Sequence, residues 1–82
     1  MPQRDRDEIT AGLVELLHLI LEVPADTIDP TARLVDDLGV DSLSLVELVL
    51  GVEEHFGVRI SDAEVARIST LDDAAELITT AV

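Results

Sequence analysis

A chain of 82 residues without cysteine has room for one modest core and for no disulfide framework, cysteine-ligated zinc site or cysteine nucleophile. Its 18 acidic residues against 5 basic ones, all arginine, give a formal net charge of −13, which repels phosphate backbones, excludes nucleic acid as a partner and steers encounters with basic protein surfaces. Acidic chains can be disordered, but 48% hydrophobic residues and a mean hydropathy of +0.35 argue for a packed core.

The start of the chain, Met1 to Glu8, is charged and lacks a signal-peptide pattern, and no later stretch approaches the roughly 18 consecutive apolar residues of a membrane span. A cytoplasmic protein that does not engage membranes is expected, as one domain over residues 1–82 and as a monomer. A first helix is predicted from about Asp5 to Glu22, with Ile9, Leu13, Leu16, Leu17 and Ile20 at helical spacing, Pro24 closing it and His18 on the opposite, wet face. Val23 to Val40 then reads as a long connection, anchored in the core by Ile28, Leu34 and Leu38. Loops of this length in compact domains are usually functional or disordered.

Asp41 has the chemistry of an N-cap for a second helix over about Ser42 to Phe56, and Gly57 can end that helix in a left-handed C-cap. Ser42 therefore lies in its first turn. After a short extended link, Val58 to Ile60, the run Ser61-Asp62-Ala63-Glu64 has capping-box spacing, with Ile60 and Val65 placed as a hydrophobic staple, and starts a short third helix. Thr70 can cap a fourth, over about Leu71 to Thr80, whose Leu71, Ala74, Ala75 and Ile78 share a face. The expected fold class is all-α, a small four-helix bundle with a long loop between the first and second helices.

On a wheel at about 100° per residue, the second helix carries two opposed apolar stripes. Leu45, Leu48, Val49, Val52 and Phe56 form the first; Leu43, Val46 and Leu50 form the second, with Glu47 and Glu54 among them. The first is assigned to the core. The second is expected to be at least partly exposed, as a partner-docking surface in which apolar groups give affinity and charges give orientation and on-rate. The alternative buries both stripes, one beneath the long loop.

Leu38-Gly39-Val40-Asp41-Ser42-Leu43, Val46-Glu47-Leu48-Val49, Glu53-Glu54-His55-Phe56-Gly57 and Ile60-Ser61-Asp62 together resemble the acyl carrier protein family over nearly the whole chain. The resemblance implies that Ser42 bears a 4′-phosphopantetheine arm derived from coenzyme A, framed by Asp41 and Leu43 for a phosphopantetheinyl transferase. It implies a docking surface of Leu43, Val46, Glu47, Leu50, Glu53 and Glu54 for an acyl-loading enzyme and for ketosynthase-type or other tailoring enzymes with basic patches. The implied role is that of a carrier of thioester-linked acyl groups in polyketide or fatty acid type biosynthesis, not an enzyme. Ser44 stands where members serving fatty acid synthesis commonly have an acidic residue, which thins the acidic patch beside Ser42 and favours a specialised pathway. Small residues at 51, 74 and 75 either leave space for an acyl chain or simply let helices pack closely.

Two other readings remain open. An aminoacyl or peptidyl carrier of nonribosomal type would share the arm, and an acidic adaptor would lack it. A Ser-His-Asp hydrolase would need His18 or His55 beside Ser42, and the wheel places neither there; nor is there a Gly-x-Ser-x-Gly elbow. No Asp-x-Asp-x-Asp-Gly loop appears, so no specific metal site is expected despite the acidic pairs.

Overall fold

The computed structural model describes residues 5–81; Met1 to Arg4, part of the charged start read above, lie outside the described residues. Four α-helices follow one another: α1 (Arg6–Leu21), α2 (Ser42–Phe56), α3 (Asp62–Val65) and α4 (Leu71–Ala81), with a single 3-10 turn at Ala25–Thr27 between the first two. Helix α1 packs against both α2 and α4. Their facing stripes make the core, with Ile9, Leu13 and Leu17 from α1, Leu48, Val52 and Phe56 from α2, and Leu71, Ala74, Ala75 and Ile78 from α4. Arg6 adds an exposed ion pair to Glu76 at 2.7 Å across the α1–α4 seam, a contact of the kind that contributes about 0–1 kcal/mol beside the buried apolar surface.

The local signals act as expected. Ser61 and Glu64 form the reciprocal capping box that starts α3, which is a single turn. At α4 the Thr70 hydroxyl accepts the Asp73 N–H at 3.1 Å while the Asp73 carboxylate accepts the Ser69 and Thr70 amides, so both residues close the helix end. Helix α1 ends one residue earlier than expected and by another device. Glu22 adopts a left-handed φ of 57° and its N–H bonds the His18 carbonyl, ahead of Pro24.

His18 requires a correction: it is half-buried rather than wet, because its Nδ1 donates to the carbonyl of Val23 where the chain turns back after α1. A wheel drawn on α1 alone cannot show a partner supplied by the chain beyond it.

The long connection is ordered by its own polar groups. The Asp29 carboxylate accepts the Thr31 amide at 2.9 Å and the Thr31 hydroxyl at 2.8 Å, and the Pro30 carbonyl accepts the Asp72 amide from the start of α4. Farther on, Leu34 N–H bonds the Ser69 carbonyl at 2.8 Å and Val40 N–H bonds the Leu34 carbonyl at 2.9 Å. Ile28, Leu34 and Val40 are buried; Leu38, expected as an anchor, is half-buried against the same core.

Candidate functional site

Val40 is sunk in the core immediately before α2, and Gly39 ahead of it takes a φ of 73°, a left-handed turn that favours glycine. The chain thus enters α2 from a fixed point. Asp41 is the N-cap: its backbone is extended, its Oδ1 accepts the Ser44 N–H at 2.8 Å, and its carbonyl accepts the first helical bond, from Leu45, at 2.9 Å. The Ser44 amide, and after it the Ser44 hydroxyl, holds the Asp41 carboxyl below the usual carboxylate range. Ser42 is the first residue of the helix and exposed, and its hydroxyl has no hydrogen-bond partner among the described residues. Its oxygen is therefore accessible to a reagent, on a backbone set by the cap behind it.

The two stripes of α2 separate as expected at their centres. Leu48, Val52 and Phe56 are buried, while Leu43, Val46 and Leu50 are 69%, 53% and 58% exposed, so the alternative that buries both stripes beneath the loop is overturned. Glu47 and Glu54 are exposed beside the second stripe. Glu53 is half-buried, and its Oε2 accepts the backbone N–H of Ile60 at 2.8 Å. Leu45 and Val49, assigned to the core, are only half-buried. They face an open groove of about 290 Å³, walled on the other side by Ile60, Asp62 and Val65 and edged by Val46, Leu50 and Glu53. Nothing in the sequence pattern announces this groove, since it arises where the single turn of α3 meets α2. Ile60 and Val65, the staple pair, both stand on its wall.

The small residues serve close packing. A Cβ on Gly51 would come within 3.2 Å of Leu16 Cδ2, so this glycine lets α1 approach α2, and Ala74 and Ala75 are buried in the core. Among the described residues no group of three or more His, Asp or Glu side chains could hold a metal ion, and no helix is long and apolar enough to cross a membrane.

Residues 11–78 match the family model for the phosphopantetheine attachment site, and the chain is 43% identical over 76 residues to the acyl carrier protein of Acidothermus cellulolyticus, covering 93% of this chain and 90% of that one. The chain belongs to the acyl carrier protein family. The meromycolate extension acyl carrier protein of Mycolicibacterium smegmatis is 36% identical over 73 residues, covering 89% of this chain and 74% of that one. The solved structure of the acyl carrier protein from Enterococcus faecalis superimposes with a TM-score of 0.79 at 29% identity, over 96% of this chain and 100% of that one. Acyl carrier proteins are carriers, not enzymes, and hold a covalently attached 4′-phosphopantetheine; they work with phosphopantetheinyl transferases and acyl-handling enzymes.

Three hydrogen-bonded carboxylates make a pH dependence. In Asp29, Asp41 and Glu64 the carboxyl is held below its ordinary range, in each case chiefly by a backbone amide, from Thr31, Ser44 and Ser61 respectively. Because folding lowers these values, the unfolded chain takes up protons first as pH falls. Their stabilisation is complete above about pH 5 and is lost progressively below about pH 4. Self-repulsion from the net charge of −13 acts the other way and is relieved as carboxylates begin to titrate. Thermal melts across pH are expected to give a maximum Tm near pH 5, lower at pH 8 and falling steeply toward pH 3; a Tm that rises steadily as the pH falls to 3 would contradict the assignment of these bonds.

Proposed function

We propose that Ser42 is the attachment point of the phosphopantetheine arm, with Asp41 and Leu43 framing it for the transferase. The observation that carries this is the placement of an exposed hydroxyl, without a hydrogen-bond partner among the described residues, at the first position of α2, behind a formed Asp41 cap and at the head of the exposed Leu43, Val46, Leu50 stripe. The Ser42 oxygen attacks the pyrophosphate of coenzyme A, forming a phosphodiester while the adenosine bisphosphate leaves. The transferase supplies the base. Once bound, the arm ends in a thiol that carries acyl groups as thioesters.

Leu43, Val46 and Leu50 make the apolar contacts with partner enzymes, and exposed Glu47 and Glu54 orient those partners through their basic patches. Glu53 adds charge at the edge of this surface. The groove beside it offers apolar shelter to the acyl chain, at roughly 0.8 kcal/mol for each methylene buried. The cargo belongs to polyketide or fatty acid type biosynthesis, with ketosynthase-type enzymes among the partners. The first turn of α2 contains no acidic residue, Ser44 standing there instead, and this favours a specialised pathway over housekeeping fatty acid synthesis. The protein acts as a monomeric single domain in the cytoplasm.

The absence of cysteine makes a simple test available. Titration with a thiol reagent after treatment with a broad-specificity phosphopantetheinyl transferase, magnesium and coenzyme A, with the small thiols removed, is expected to rise from no thiol to about one per chain. A folded chain that stays at zero would speak for an acidic adaptor.

A further inference from the structure

Glu53 is half-buried near the end of α2, and its Oε2 reaches seven residues along the chain to accept the Ile60 N–H at 2.8 Å. Between them the chain leaves α2 through Gly57, at a φ of 69°, and runs through Val58 and Arg59 without regular structure. Such a link has no ladder or helical bonds of its own to set its course. Ile60 immediately precedes Ser61, the N-cap of α3, so fixing the Ile60 amide against α2 fixes where α3 begins. Both Glu53 and Ile60 line the 290 Å³ groove, so their hydrogen bond ties its two sides together beside the core on which both rest. A hydrogen bond to an ionised acceptor is among the stronger kinds, and here it closes a short loop.

We propose that Glu53 is a positioning residue, a clasp that holds the Ile60 and Val65 wall of the groove at the width that shelters a medium-length acyl chain. The proposal rests on the carrier reading above. It gives Glu53 a role separate from presenting charge to partner enzymes, and it makes cargo retention depend on a single carboxylate-to-amide bond. A preformed groove costs less to fill than one that must be organised on filling.

Glu53→Gln removes the charge and keeps an acceptor oxygen; Glu53→Ala removes both. On the arm-free chain, amide hydrogen exchange at Ile60 is expected to be about tenfold faster or more in Glu53→Ala and within about threefold of wild type in Glu53→Gln. After loading, methyl spectra of the octanoyl and acetyl forms are compared. The octanoyl-specific shifts at Val49, Ile60 and Val65 are expected to persist in Glu53→Gln and to fall below about half their wild-type size in Glu53→Ala. Circular dichroism melts confirm that both variants are folded. Equal Ile60 exchange in all three proteins, or a Glu53→Gln protein that behaves as Glu53→Ala, overturns the clasp; the second result would show that charge alone matters. Intact mass reports arm loading separately, so a wild type that takes no arm contradicts the carrier reading, while Ile60 exchange still decides the clasp.

Discussion

Phe56→Ala is expected to lower the unfolding free energy by about 3–5 kcal/mol and the melting temperature by about 15 °C or more. The chain has one aromatic residue, buried at the end of α2 where it closes the core against α1. A folded chain of 82 residues has a total stability of about 4–12 kcal/mol, so this one side chain decides a large share of it. Gly12 is its complement. A Cβ there would stand 2.8 Å from Phe56 Cζ and 3.4 Å from His55 Nε2, so the ring lies directly over the glycine. Gly12→Ala should gain up to about 1 kcal/mol of helix propensity but lose about 1–3 kcal/mol by forcing the ring aside. A net loss is expected, and Phe56→Leu in the Gly12→Ala background should recover part of it. Denaturant unfolding of wild type, Gly12→Ala, Phe56→Leu and the double variant measures the coupling, and additive effects would contradict the packing of Phe56 on Gly12.

The second large effect concerns partners. Glu47→Lys combined with Glu54→Lys is expected to reduce kcat/KM for a partner enzyme with a basic docking patch by about tenfold or more and to flatten its dependence on salt. Both side chains are exposed, so the fold should be unaffected. Leu50→Ala should act differently. Truncating an apolar anchor that is 58% exposed in the free protein shortens the complex lifetime, expected at about five- to thirtyfold in affinity, and leaves the salt dependence as in wild type. Steady-state assays at several ionic strengths separate the two. A charge-reversed protein with unchanged salt dependence would remove this face of α2 from the docking surface.

The parts of this fold legible in the sequence are those set within a few residues. Asp41 before Ser42, Gly57 after Phe56, Ser61 with Glu64 and Thr70 before Leu71 each act on their own helix end, and a cap needs only its next turn to be recognised. The split of α2 into a buried and an exposed stripe was legible for the same reason, since helical periodicity is a local property. What depended on partners outside the helix concerned was not. The His18 bond to Val23, the pinning of Leu34 to Ser69 and the Glu53 bond to Ile60 each join separate elements, and no spacing rule announces them. Leu45 and Val49 were assigned to the core because they share a stripe with Leu48 and Val52. Both line the groove, Leu45 while also packing against the core, because one turn of α3 is too short to cover them.

Whether Ser42 carries the arm is decided by intact-protein mass spectrometry. Wild type and Ser42→Ala are incubated with a broad-specificity phosphopantetheinyl transferase, magnesium and coenzyme A. Ser42 is exposed and its hydroxyl is bonded to nothing among the described residues, so the alanine variant should fold as wild type does. The expected result is one added phosphopantetheine on wild type and none on Ser42→Ala; an arm on the variant, or none on a folded wild type, would contradict the account.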